Sequence, residues 1–308
     1  MLYRWVFRFQ QRSALSAQGE RFRPDIPVIV VGNITLGGTG KTPLTLALLE
    51  VLKKLDMYPG VISRGYGGQP PQLPYVVSTS DNPVYAGDEP LLIRRHSGCP
   101  VVVDPDRRRA LRHLIQQFNC DVVVSDDGLQ HHRLPRDLEI VVIDGQRRLG
   151  NGWCLPAGPL REPVSRLATV DLIISNGNRI PEAPYLMTLK PLKFVKTDGS
   201  DCRSLEFFRG QAVNAIAGIG NPQRFFQQLR ELGMSPICHE FPDHYRYRHH
   251  DLAFEQPLPL VMTAKDAVKC AHLNLSDGWY LQVEAELDGV FVDRFKTCLY
   301  EIQSASEN

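Results

Sequence analysis

Gly37, Gly38, Gly40, Lys41 and Thr42 stand together in the run TLGGTGKTP, residues 35–43, and this combination of types can hold a triphosphate. Residues without a Cβ let successive backbone N–H groups turn inward around phosphate oxygens, and a helix N-terminus behind them favours negative charge. Lys41 can reach the β and γ phosphates, and the Thr42 hydroxyl can join the shell of a Mg²⁺ ion. The general pattern is GxxxxGK[ST], so Thr35 occupies the place of its first glycine, and Leu36 and Thr39 complete the nucleotide-binding run. The competing reading is a glycine-rich turn with an exposed lysine. The order strand, loop, helix around this run favours the nucleotide.

A phosphate loop also needs a carboxylate at the end of a neighbouring strand to order its metal. VVVSDDGLQHH, residues 122–132, supplies Asp126 and Asp127 after three valines. One of them belongs to the Mg²⁺ shell and the other caps the turn or positions the first, and the sequence leaves that choice open. In LREP, residues 160–163, Arg161 can neutralise phosphate charge and Glu162 can join the metal shell, with a surface ion pair as the alternative. Arg64 and Tyr66 in SRGYGG follow a strand, where acceptor-binding loops of an α/β sheet lie, and His131 is close enough to the aspartates to face the same cleft. In the second half, Gly218 and Gly220 of IAGIGNP form a tight strand-to-helix connection rather than a second nucleotide loop, for no lysine follows them. Lys265 in MTAKDAVK either meets phosphate or faces water.

The elements that must position these groups are legible as apolar runs. IPVIVVG (26–32), PGVISRG (59–65), PVVV (100–103), DVVVSDD (121–127), EIVVID (139–144) and VDLIIS (170–175) are short and rich in Val or Ile, as strands buried on both faces are. Helical spacing separates them at 43–55, where Pro43 sits harmlessly in the opening turn, and at 106–118. The pattern predicts an α/β fold, a P-loop-containing parallel sheet in an α/β/α sandwich. Alternation fades over 176–210, apart from the extended stretch YLMTLKPLKFV (185–195), and a second, smaller α/β/α block follows. Its elements are a strand at 212–220, a helix at 222–233, a strand at 258–263 and a closing helix at 288–303. The predicted division is therefore 1–184 and 185–308, entered through an extended linker.

Composition excludes several classes. A hydrophobic fraction of 43% and a charged fraction of 22% exclude wholesale disorder. Lys and Arg number 35 against 34 acidic residues, a net charge of +1, which gives no field that argues for nucleic acid. The seven cysteines are scattered with no CxxC pair, favouring reduced thiols over a disulfide framework or a zinc site. No protein partner is inferable.

No run of about 18 apolar residues is present to span a bilayer. MLYRWVFRFQQR at the start interrupts its apolar residues with Arg4, Arg8 and Arg12, so it lacks the core of a secretory signal. On a helix Leu2, Trp5, Val6 and Phe9 share one face with the arginines along its flank. Residues 1–12 then either lie in a membrane interface or pack on their own domain.

Taken together, VGNITLGGTGKTP, SRGYGG, AGDEP, DDGLQHH, LPAGPLREP, IAGIGNPQRF and FPDHYRY resemble the tetraacyldisaccharide 4'-kinase family, the lipid A 4'-kinases of Gram-negative bacteria. The segments run from residue 31 to 247 in the family's order, and the family's loop also lacks the first glycine. The resemblance implies transfer of the ATP γ-phosphoryl group to the 4'-hydroxyl of a tetraacylated glucosamine disaccharide 1-phosphate, giving lipid IVA in lipopolysaccharide synthesis. It implies a peripheral protein on the cytoplasmic face of the bacterial inner membrane, and two α/β/α domains enclosing the nucleotide. It further implies that Asp88 of GDEP lies near the acceptor hydroxyl with His244 of PDHY as its partner. Read without the family, Asp88 is a turn residue before Pro90 and His244 a solvated loop histidine. A partitioning ATPase, whose loop also ends in GGTGKT, is the rival reading. Leu36 stands where that group carries its signature lysine.

Overall fold

The computed structural model describes residues 22–306, so the reading of residues 1–12 lies outside the described residues. In chain order the first half contains β1 (Val28–Gly32), α1 (Lys41–Lys53), β2 (Pro59–Ser63), β3 (Tyr75–Val76), α2 (Pro83–Ala86), α3 (Asp88–Ser97), β4 (Val101–Val103), α4 (Arg107–Gln117), β5 (Val122–Asp126), β6 (Leu138–Asp144) and β7 (Leu172–Asn176). The second half adds β8 (Tyr185–Lys196), β9 (Cys202–Arg203), β10 (Ala212–Ala217), α5 (Pro222–Glu231), β11 (Ser235–Glu240), β12 (Leu260–Thr263), α6 (Ala264–Cys270), β13 (Gly278–Leu287) and α7 (Gly289–Ser306).

The strands form one sheet in the order β11-β10-β12-β13-β8-β7-β6-β1-β5-β2-β4-β3, with β9 paired to β8. Pairing is parallel from β7 through β4 and again among β11, β10, β12 and β13. The two parallel regions meet at β8. This long strand runs parallel to β7 over Tyr185–Met187 and antiparallel to β13 along most of its length.

Alternation along β1 shows how the layers form. Ile29 and Val31 enter one apolar cluster with Leu44, Leu48 and Leu52 of α1 and with Phe291 and Phe295 of α7. Val28 and Val30 enter the opposite one with Ala110, Leu111 and Leu114 of α4. Side chains of a strand point alternately to the two faces, so five consecutive buried residues require a helical layer on each side. The second half repeats the arrangement. Val213 and Ala215 pack on Phe225, Phe226 and Leu229 of α5, whereas Ile216 and Met262 pack on Ala267 and Cys270 of α6. The expected parallel α/β sandwich is therefore present, with a smaller helix–sheet–helix unit at its far end.

Several elements were not anticipated. Asp88 opens the ten-residue helix α3, with Pro90 tolerated in its first turn, where no backbone donor is needed. The strand β13 escapes attention because GWYLQVEAEL mixes charges into an alternating pattern that pairs with β8.

Candidate active site

Parallel strands deliver their carboxyl ends to one edge of the sheet, where the connecting loops create the crevice of an α/β fold. The glycine run leaves β1 and enters α1 directly. Gly37 (φ 86°) and Gly40 (φ 102°) adopt left-handed backbone that a Cβ would oppose. A Cβ on Gly40 would also collide with the carboxamide of Asn176, at the end of β7. That carboxamide donates to the Thr39 carbonyl at 2.9 Å and accepts from Arg224 of α5 at 3.0 Å. Asn33 Nδ2 donates to Thr39 Oγ1 at 3.1 Å, and Arg147 donates to the Gly38 carbonyl. Leu36 N donates to the Pro159 carbonyl at 2.8 Å and Arg161 N to the Ile34 carbonyl at 2.7 Å, so the LPAGPLREP segment lies alongside the loop.

Val31 of β1 is in register with Asp126 of β5, which brings the paired aspartates beside the loop. Their environments differ sharply. Asp126 is buried, its Oδ1 accepting from Thr45 at 3.0 Å while Oδ2 has no hydrogen-bond partner. Burial first, then the charges of Glu89 and Asp127, push its carboxyl up to about 7. Asp127 is also opposed by burial, but Lys41, Arg161 and Arg107 outweigh it and hold the carboxyl below its ordinary value. Lys41 Nζ lies 3.5 Å from Asp127 Oδ1, and an Arg161 nitrogen lies 3.3 Å from both Asp127 oxygens.

Glu162 is fully buried. Its Oε1 accepts from Gln130 Nε2 at 2.7 Å, and Gln130 Oε1 in turn faces Arg161 at 3.4 Å. Its Oε2 lies 3.3 Å from Arg166 Nε but accepts no well-aligned hydrogen bond. We read that contact as an ion pair that leaves a lone pair unused. Burial raises the Glu162 carboxyl despite Gln130 and Arg166. Thr42, the unpartnered Asp126 oxygen and the incompletely satisfied Glu162 oxygen are hard donors of the kind Mg²⁺ takes, so these residues fit the ion. Among the described residues no three carboxylate, histidine or cysteine groups form a complete cage, and Mg²⁺ commonly completes its shell with phosphate oxygens and water.

A second cluster lies at the start of α3. Asp88 is 5% exposed, and His244 Nδ1 lies 3.0 and 3.1 Å from its two oxygens. Burial disfavours the Asp88 anion, but the His244 hydrogen bond and the charges of Lys265 and Lys269 override it and lower the carboxyl. His244 has a left-handed backbone (φ 61°), uncommon for a residue with a side chain, so this turn is held by its surroundings. Tyr247, almost fully buried, anchors the loop by donating to Asp266 at 3.0 Å. Asp266 also accepts from Gly218 N at 3.2 Å and pairs with Lys269 at 2.7 Å, tying the IAGIG turn, the PDHY loop and α6 together. The Tyr66 ring lies 4.7 Å from that of His244. An open cleft lies here, lined by Tyr66, Val84, Asp88, His244 and Arg246 among others.

The sequence-derived residues therefore separate into two groups. Residues 35–42, Asp126, Asp127, Arg161 and Glu162 surround the loop, whereas Asp88, His244 and Tyr66 form the cleft. Arg64 is exposed and His131 half-buried, and both stand close enough to Arg107 for like charges to oppose one another. The sequence pattern does not single out Arg107, which is buried at the start of α4 and donates to the carbonyls of Asp104 and Asp127. Nor does it single out Asn33, Gln130 or Asn176: Asn33 lies within VGNITLGGTGKTP and Gln130 within DDGLQHH, while nothing local marks Asn176.

A glycine-rich loop between a strand and a helix, with a lysine in that helix and a buried aspartate ending the adjacent parallel strand, defines a P-loop nucleotide-binding protein. The family model described as tetraacyldisaccharide-1-P 4'-kinase matches residues 1–300. The chain is 50% identical over 300 residues to the tetraacyldisaccharide 4'-kinase of Hahella chejuensis, covering 97% of this chain and 88% of that one. It is 51% identical over 294 residues to that of Ectopseudomonas mendocina, covering 95% and 88%. The crystal structure of LpxK from Aquifex aeolicus in complex with ATP superposes with a TM-score of 0.80 at 26% identity, covering 98% of this chain and 96% of that one. The chain belongs to the tetraacyldisaccharide-1-P 4'-kinase family.

Proposed function

We propose that the protein is an ATP-dependent kinase that phosphorylates the 4'-hydroxyl of a tetraacylated glucosamine disaccharide 1-phosphate, the step that gives lipid IVA in lipid A synthesis. Family membership over nearly the whole chain supports the reaction. One structural observation carries its chemistry: a buried Asp88 paired with His244 at 3.0 Å in an open cleft.

In this reading the amides of residues 35–42 bind the triphosphate, and Lys41 neutralises its β and γ oxygens. Mg²⁺, held by Thr42 with Asp126, Asp127 or Glu162, would spread the charge that develops on the phosphates. Arg161 stands beside Asp127 to balance charge on the transferring group. The 4'-oxygen forms a bond to the γ-phosphorus while the bond from that phosphorus to the β–γ bridging oxygen breaks. ADP leaves with that electron pair, and the hydroxyl proton passes to Asp88. Tyr66 flanks the acceptor, and Arg64 and His131 line the approach. The blocks 1–184 and 185–308 meet where ATP and acceptor are brought together.

The protein with ATP, Mg²⁺ and the lipid disaccharide in mixed micelles is expected to yield a 4'-monophosphorylated product by mass spectrometry. ATP consumption without that product refutes the assignment of the acceptor. Among the described residues no helix is long and apolar enough to cross a membrane. A peripheral position on the cytoplasmic face of the inner membrane, through residues 1–12, completes the proposal. Vesicle co-sedimentation of a chain lacking those residues tests it, and unchanged partitioning ends that part.

A further inference from the structure

Lys265, the second residue of α6, is turned away from bulk water and enclosed by carboxylates from both halves of the chain. Its Nζ lies 3.0 Å from Glu89 Oε1, 3.0 Å from Asp243 Oδ1 and 3.6 Å from Asp88 Oδ2. It also lies 3.5 Å from His244 Nε2. Glu89 and Asp88 belong to the first turn of α3, while Asp243 and His244 belong to the turn beside α6. Burial opposes the ammonium, but Glu89, Asp88 and Asp243 outweigh it and raise its pKa, so it is charged throughout the working pH range.

We infer that Lys265 is a positioning residue for phosphoryl transfer: its ammonium joins α3 to the Asp243–His244 turn, fixes the His244 tautomer and keeps the acceptor-side carboxylate ionised. This inference rests on the reading of Asp88 as the group that takes the hydroxyl proton.

The tautomer follows from donor inventory. An ammonium has three N–H donors and no acceptor, so an imidazole nitrogen that takes a hydrogen bond from it supplies a lone pair. Nε2 is that nitrogen, and the ring proton therefore sits on Nδ1, directed at the Asp88 oxygens. Asp243 also accepts from the His244 backbone N–H at 3.0 Å, so its link to Lys265 secures the left-handed turn. The charge effect follows from what faces Asp88. His244 favours its anion by its hydrogen bond and Lys265 and Lys269 by their charge, with Lys269 already paired to Asp266, while Glu89 and Asp243 act mainly on Lys265. Without Lys265 the Asp88 carboxyl rises, and the ionised fraction at a given acidic pH falls.

Steady-state kinetics with the lipid acceptor at saturating ATP and Mg²⁺ test this on Lys265→Met, Lys265→Arg, Asp243→Asn and Asp88→Asn beside the wild type. Misplacement of a reacting group by about 1 Å costs on the order of 10²-fold, so Lys265→Met is expected to lower kcat by about that factor. Its KM for ATP stays within about twofold, and its acid limb moves to higher pH. Lys265→Arg restores the limb and part of kcat. Asp243→Asn, a change at an exposed site, moves the limb to lower pH, because an anion leaves the surroundings of the node. Imidazole ¹⁵N shifts should report an Nδ1–H His244 in the wild type and mixed tautomers in Lys265→Met. Wild-type kcat and an unmoved limb in Lys265→Met, with Asp88→Asn inactive, overturn the inference and leave the role of Asp88 standing. A loss without a pH shift, unrelieved by arginine, assigns Lys265 to folding alone. If Lys265→Met does not fold, Asp243→Asn decides, and an unshifted or upward-shifted limb there counts against the node. Near-normal turnover by Asp88→Asn instead removes the base assignment itself.

Discussion

The phosphate loop and the Asp88–His244 cleft do neighbouring work but are built on different principles. The loop is one unbroken segment, strand to glycine turn to helix, steadied by groups at the ends of the strands around it. The cleft joins side chains 156 positions apart, and its parts come from opposite sides of the β8–β13 ribbon. Its geometry exists only while α3 and α6 are held together. A local site can bind its ligand as a unit, whereas an assembled site can respond to how the two halves meet. Damage to the loop should therefore reach nucleotide affinity and turnover together. Damage to the cleft should reach turnover alone.

The largest effect tests the loop. Cationic groups that stabilise a transferring phosphoryl contribute about 10³- to 10⁵-fold, so Lys41→Ala should lower kcat/KM for ATP by about that range. Calorimetry should also show weaker ATP binding, since Lys41 serves the ground state as well. Loss of turnover with undiminished affinity breaks the comparison on this side. Asp88→Ala comes next. A positioned general base contributes about 10²- to 10⁴-fold, and kcat should fall by that amount while the ATP dissociation constant stays close to wild type. An equal loss of ATP affinity would place Asp88 in the nucleotide site and dissolve the distinction.

This difference also explains what the amino-acid order made legible. The loop, the β1 and β5 strands and the paired aspartates are readable because chemistry and hydrophobic pattern coincide within about a dozen residues. The cleft is not. Nothing near Asp88 or His244 announces that they meet, and read alone Asp88 resembled a turn residue although it opens α3. Resemblance of whole segments supplied the pairing. From the sequence Lys265 reads as a lysine that meets phosphate or faces water, because its meaning lies in Glu89 and Asp88, which are 176 and 177 positions away. The opposed environments of Asp126 and Asp127 were invisible for a similar reason. Thr45 and Glu89 on one side and Arg161 and Arg107 on the other arrive through tertiary packing.

The smallest effect probes a place where the second half of the chain touches the phosphate loop. Asn176 is buried at the end of β7, donating to the Thr39 carbonyl at 2.9 Å and accepting from Arg224 at 3.0 Å. Arg224 belongs to α5, so this carboxamide is one link by which the second half steadies the phosphate loop, beside the close backbone approach of Gly220 to Gly38. Replacing it with alanine leaves a buried carbonyl and a guanidinium each short of a partner, a loss of about 1–3 kcal/mol. Part of that loss falls on folding and part on the loop, and roughly a fivefold to tenfold weaker ATP affinity corresponds to about 1–1.4 kcal/mol of it. The chemical step, governed by Asp88 and His244, should change little once ATP is saturating. Arg224→Ala should mimic the effect, and the double variant should be less than additive because both changes break one chain of bonds. Additive losses, or a fall in kcat at saturating ATP with affinity intact, mean that the second half reaches the loop by another route.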